Sequence, residues 1–140
     1  MALAIAPLAD GQTLAALARV AVIEATCATV SGVAVAVFAD ASEAASRAAA
    51  GALSRSLRDA RVLFLRRGPS DDPAASDIQA AGYVGGEEVA QIAPGLAIAE
   101  LPAAVEDLLL GAAHPLDLDG AVRSGSMTTW KAASVLTRAA

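Results

Sequence analysis

The stretch from Ser31 to Arg67 constrains the fold most, because it reads as strand, helix, strand. Val33-Ala34-Val35-Ala36-Val37-Phe38-Ala39 is short, apolar and rich in β-branched residues, as a buried strand requires. Asp40 then offers a carboxylate to free helix N–H groups, and Glu43 stands three places on, as in a capping box. The pattern predicts a helix of about five turns ending at Asp59. Ala49, Ala50, Leu53, Leu57 and Ala60 fall on one side of it, while Arg47, Arg55 and Arg58 fall within about 80° of one another on the other. Arg61-Val62-Leu63-Phe64-Leu65-Arg66 resumes a strand. Both apolar runs are expected in one sheet, with Leu53 and Leu57 packed on its face.

A chain of 140 residues suits one domain and buries enough surface to fold without a disulfide or a metal. Its residues are 56% hydrophobic but only 3% aromatic, so alanine must supply much of the core and bring helices close to the sheet. The expected class is α/β or α+β, with the strand-helix-strand unit at the centre, a later β-hairpin and flanking helices. Residues 1–11 read as an apolar arm, with Pro7 and Gly11 discouraging a helix. Such an arm is either disordered in a monomer or tucked into a neighbouring subunit. The core domain is expected over residues 12–115, and a partly helical C-terminal extension over 116–140.

Within the core, Leu14, Leu17, Ala18, Ala21 and Ala25 recur at helical spacing and predict a helix from Gln12 to Cys27. Val20-Ala21-Val22-Ile23 suits a strand almost as well. Gly68 to Pro73 is a loop, and Ala74 to Ala81 reads as a short helix ended by Gly82. Val89–Ala93 and Leu96–Glu100 flank Pro94-Gly95, which predicts a hairpin about a type II turn. Pro102 suits the first turn of a further helix, with Leu101, Val105, Leu108, Leu109 and Ala112 as its buried stripe. A last helix from Met127 to Arg138 is expected to be anchored by Trp130, Val135 and Leu136.

Chemical motifs are few. Cys27 is the one cysteine; with only alanines and threonines beside it, it reads as a buried small hydrophobe. His114 is the one histidine, and it precedes Pro115 just past a helix, where a histidine satisfies free carbonyls. Asp117 and Asp119 follow it, but Leu116 and Leu118 alternate with them as in an ordinary two-faced segment. Thr128-Thr129-Trp130-Lys131 echoes a Ser-x-x-Lys nucleophile with none of its companion motifs. Ser124-Gly125-Ser126 reads as a flexible connector. Asp40 and Glu43 are formal candidates for a polar site at the end of the first strong strand, against the simpler role of capping. No catalytic residue, cofactor or metal ligand is assigned.

Charge is distributed in blocks. Residues 41–70 carry six arginines against Glu43 and Asp59, whereas residues 71–120 carry ten carboxylates and no Lys or Arg. The net charge of −5 and the scarcity of aromatic side chains speak against a specific nucleic-acid reader. The longest uncharged run, Ala25 to Ala39, is 15 residues, short of the roughly 20 a membrane helix needs. Met1 to Pro7 lacks the basic start of a secretory signal, and Asp10 arrives too early for its apolar region. The expected location is the cytoplasm, or a particle assembled there.

Two functions remain open. The first is a non-enzymatic subunit of a homo-oligomeric ring or particle, analogous to small virion tail or neck proteins with no motif behind the analogy. It would meet neighbours head to tail through opposed basic and acidic faces. Leu3, Ile5 and Leu8 of the arm and Arg47, Arg55, Arg58, Arg66 and Arg67 are its expected interface. The alternative is a small enzyme or ligand-binding domain with its site near Asp40.

Overall fold

The computed structural model describes residues 1–7, 10–58, 60–69 and 77–139. These form one antiparallel sheet of seven strands: β1 (Ala2–Ala6), β2 (Ala25–Val30), β3 (Val33–Phe38), β4 (Val62–Arg67), β5 (Ile78–Val84), β6 (Glu87–Ile92) and β7 (Val122–Arg123). The strand order is β6-β5-β4-β1-β3-β2-β7. Five helices accompany it: α1 (Gly11–Val20), α2 (Glu43–Ser56), α3 (Pro94–Ala99), α4 (Ala103–Leu109) and α5 (Thr129–Ala139). The chain is thus a mixed α+β domain. Its first six elements run βαββαβ, with β1 inserted between β3 and β4, which is the split βαβ arrangement of ferredoxin-like folds. The hairpin β5–β6 widens one edge and β7 the other.

Period-two alternation makes the two faces chemically different. Ala2, Ala4, Ala6, Ala34 and Ala36 point to one face, with Cys27 and Phe64, where α1, α2 and α5 pack. Leu3, Ile5, Val33, Val35, Val37 and Leu65 point to the other, where α3 and α4 pack. Alanine on the first face lets helix backbones approach the sheet closely. Gly11 marks the tightest such place: a Cβ there would overlap the backbone of Ala28, and its N–H donates to Thr29 Oγ1 at 2.8 Å.

The β3-α2-β4 unit stands as expected: both runs lie in one sheet, and Leu53 is wholly buried with Leu57 packed beside it. Its details differ. Helix α2 has 14 residues, and its N-cap is Ser42, whose hydroxyl accepts from Ala45 N–H at 3.4 Å. Asp40 accepts from Ser42 N–H at 3.0 Å and so shapes the turn before the cap.

Other elements depart further from expectation. Residues 2–6 are no arm. They form the strand at the heart of the sheet, with Leu3 opposite Val37 on one side and Leu65 on the other. Alanine's low strand propensity hid β1, but burial between two neighbours overrides propensity. Helix α1 stops at Val20 instead of reaching Cys27, Ala21 to Glu24 form a turn and neither helix nor strand, and Ala25–Val30 is strand. The hairpin lies one element earlier than predicted. Gly85-Gly86, at φ +60 and +93, turns β5 into β6, a pair of left-handed conformations that matches strand twist. Pro94 instead opens α3 in its first turn, where a missing N–H costs nothing. Ile78–Ala81 belongs to β5 and not to a helix, while residues 74–76 of that predicted helix lie outside the described residues.

The C-terminal segment is packed into the core. Ser124 is buried, accepting from Ala25 N–H at 3.0 Å and donating to Ile23 C=O at 2.6 Å, so it is an anchor and no flexible connector. Helix α5 lies against α1 through Ala132 and Val135. Trp130 does not anchor it and is 85% exposed. At 100° per residue it stands on the opposite side from Ala132.

Candidate functional site

The residues assigned to a neighbour contact are dispersed by the fold. Leu3 is fully buried within the chain itself, and Ile5 is half-buried on the α3 side of the sheet. Neither is free to reach a partner as part of an arm. Leu8 lies outside the described residues. Arg66 is 7% exposed, and its guanidinium donates to the carbonyls of Ala41, Gly68 and Pro69 at 2.9, 3.4 and 2.9 Å. It pins a loop. Arg67 is exposed and donates to Leu110 C=O at 3.3 Å.

Arg47 is the hub of an internal network. Its Nη1 donates to Glu88 Oε1 at 2.7 Å and to Tyr83 Oη at 3.3 Å, and its Nη2 to Gln79 Oε1 at 3.4 Å. Its Nε lies 3.5 Å from Glu43 Oε1. The guanidinium carbon stands 5.2 Å over the Phe64 ring, which meets Tyr83 edge-on at 6.1 Å. Burial works against its charge, but Tyr83, Glu88 and Glu43 outweigh burial, and its pKa lies above the ordinary arginine value. The network clamps α2 to β4, β5 and β6, so Arg47 serves the fold. Of the arginine face, Arg55 and Arg58 remain exposed.

Asp40 does line a cleft. A volume of about 510 Å³ opens between the turn after α1 and the alanine-rich side of α2, with Phe38 and Ile23 in its wall and Glu24 and Asp40 as its carboxylates. The Ser42 N–H holds the Asp40 carboxyl below its usual range. Because the sheet is antiparallel throughout, the rule that places ligands at the carboxyl ends of parallel strands does not apply here. No Ser, Cys, His or Lys is among the described residues lining this cleft. The arrangement is suited to holding a cation or a hydrogen-bond donor.

Val22 borders the same cleft at φ +59, with its side chain 84% exposed. It closes α1 in a Schellman turn: Val22 N–H donates to Arg19 C=O at 3.2 Å and Ile23 N–H to Ala18 C=O at 2.8 Å. Glycine normally takes that position, and a β-branched residue is strained there. Replacing Val22 with glycine is expected to raise stability by about 1 kcal/mol, the relief of strain less the entropy glycine adds to the unfolded chain. Urea denaturation of the two proteins checks the sign.

His114 accepts from Leu116 N–H at 3.1 Å through Nδ1 and caps the 3₁₀ turn Pro115–Asp117. Among the described residues no three His, Cys, Asp or Glu side chains are grouped to hold a metal. Thr128 Oγ1 accepts from Lys131 N–H at 3.0 Å, so the echo of a nucleophile motif is a helix cap. Cys27 is buried under the helices, and burial pushes its thiol from 9.0 up to about 12. A thiol held neutral in the fold stabilises it fully below pH 9 and progressively less above. Stability should therefore fall by about 1.4 kcal/mol per pH unit between 9 and 12 from this group, and Cys27→Ala should flatten that slope in chemical denaturation.

Charge is sorted by layer only in part: Arg61 and Arg67 stand on the α3–α4 side, and the exposed carboxylates of Asp10, Glu24 and Asp40 on the other. The segment from Pro94 to Gly120, which builds the α3–α4 side, carries Glu100, Glu106, Asp107, Asp117 and Asp119 and no Lys or Arg. On the other side, Arg55, Arg58, Lys131 and Arg138 are exposed, on or just after α2 and α5. Among the described residues no helix is long and apolar enough to cross a membrane. No family model, curated protein or solved structure matches the chain.

Proposed function

We propose that this protein is a non-enzymatic subunit of a homo-oligomeric ring or particle, whose copies associate head to tail. The observation that carries the reading is an uneven distribution of charge between the two sides of the sheet. Carboxylates exceed cations on the α3–α4 side, where Arg61 and Arg67 also stand, and the exposed cations Arg55, Arg58, Lys131 and Arg138 of the other side stand among Asp10, Glu24 and Asp40. Exposed ion pairs contribute only about 0–1 kcal/mol each, so charge orients the contact and apolar area must hold it. With the N-terminal segment built into the sheet, that area comes from surface residues. Trp130 and Val20 supply it on the basic side, and Leu96, Leu110 and Leu116 on the acidic side. Reversing Arg55 and Arg58 together to glutamate should weaken self-association most at low salt, as read by light scattering. A symmetric dimer indifferent to the reversal would remove the head-to-tail mechanism.

A second reading, a small ligand-binding domain, is favoured by one observation: the strained Val22 stands at the cleft that Asp40 lines. Under that reading a cationic ligand binds the unmodified monomer and is lost on Asp40→Asn.

A further inference from the structure

The α3 side of the sheet holds a second pocket, of about 550 Å³. Its floor is the large-residue face of the sheet, where Ile5, Val33, Leu63 and Ile92 remain half-buried. Helix α3 has six residues and rises only about 9 Å, too little to cover that floor, and its Leu96 stands 70% exposed at the rim. Two charged groups share the lining. Arg61 enters just before β4, and its side chain lies across Gly82 of β5, where a Cβ would come within 3.2 Å of Nε. Gly82 faces Leu63 across the strand pair, which places the guanidinium over the apolar floor. Glu100, which closes α3, lines the same pocket.

These two charges are unspent. Among the described residues the ion pairs are Arg47–Glu43 and Arg47–Glu88, and Arg61 has no hydrogen-bond partner. Arg61 and Glu100 therefore line one pocket without pairing to each other. An unpaired cation and an unpaired anion lining one apolar pocket complement a molecule with the same three parts. We propose that this pocket binds a small apolar zwitterion, an α-amino acid with a hydrophobic side chain. Arg61 receives its carboxylate, Glu100 its ammonium, and Ile5, Val33, Leu63 and Ile92 its side chain. The volume is within the range of small-molecule sites, and the few polar groups are those that fix orientation. The proposal does not need the assembly reading; it shares Leu96 and Glu100 with the acidic face of that reading, but ligand binding and mass in solution test the two separately.

Titration calorimetry of the full chain with leucine, methionine and phenylalanine tests it, with leucinamide and N-acetyl-leucine as probes of each head group. Saturable binding is expected for the free amino acids, weakened about tenfold or more by either blocked derivative. Arg61→Gln should abolish the preference for leucine over leucinamide, and Glu100→Gln the preference over N-acetyl-leucine. Both residues are exposed, so the variants should melt like the parent protein. Absence of saturation at about 10 mM amino acid would overturn the proposal, as would equal binding of the blocked forms or indifference to both substitutions.

Discussion

Deleting residues 2–6 is expected to abolish cooperative folding. These residues form the central strand of the seven, between β3 and β4, and without them β3 and β4 lose a common neighbour. Ala2, Leu3, Ala4 and Ala6 are buried, so the deletion opens the centre of both core layers at once. A domain of this size has a net stability of about 5–15 kcal/mol, and loss of a central strand exceeds it. Circular dichroism with thermal melting reads the outcome. A truncated protein with the parent's transition would mean that the segment is an arm after all. The point change Leu3→Ala probes the same place more gently and should cost about 2–5 kcal/mol.

Phe64→Ala carries the next largest expected effect, about 3–5 kcal/mol in urea denaturation with an unchanged slope. Phe64 is fully buried in β4, and it supports the Arg47 guanidinium above and the Tyr83 ring beside it. Its loss leaves a cavity beneath the clamp that joins α2 to the β5–β6 hairpin. Phe64→Leu keeps most of the burial and should cost about half as much. A double-mutant cycle with Arg47→Met should show coupling of about 0.5–1 kcal/mol, the worth of a half-exposed cation–π contact. Additive losses would indicate that Arg47 acts through Glu43 and Glu88 alone.

What was legible in the chain follows from which residues carry strong local signals. Val33–Phe38 and Val62–Leu65 are dense in β-branched and large apolar residues, and the helix between them begins with side-chain acceptors, so that unit was readable directly. Strands β1 and β2 give little local signal because one face of the sheet is built largely of alanine, which the close approach of α1 and α2 requires and strand propensity disfavours. The alternation Ala2-Leu3-Ala4-Ile5-Ala6 was the signal available for β1. Pro94-Gly95 imitates a turn dipeptide, whereas the actual hairpin turns on Gly85-Gly86, and only sheet pairing distinguishes them. Trp130 is expected among the anchors of the last helix, although its angular distance from Ala132 puts it on the outer side.

The candidate sites were legible in part. Asp40 was readable as the end of a strong strand, but the cleft beside it depends on the turn after α1, which the chain's periodicity leaves ambiguous. Arg47 and Arg66 share a helix-face or strand-end signature with truly exposed arginines, and only the positions of Glu88, Tyr83 and Ala41 in space reveal them as internal. Nothing local distinguishes Arg61, because its defining contact is with Gly82, a residue of a strand that the local pattern does not reveal.

Sedimentation of the unmodified protein at tens of micromolar tests the central claim most directly. The series should run between about 0.01 M and about 1 M salt, over which the Debye length falls from about 30 Å to about 3 Å. Head-to-tail association between an acidic and a basic layer predicts a mass well above the 13.8 kDa monomer at low salt, declining as salt rises. A monomer at every salt concentration would contradict it.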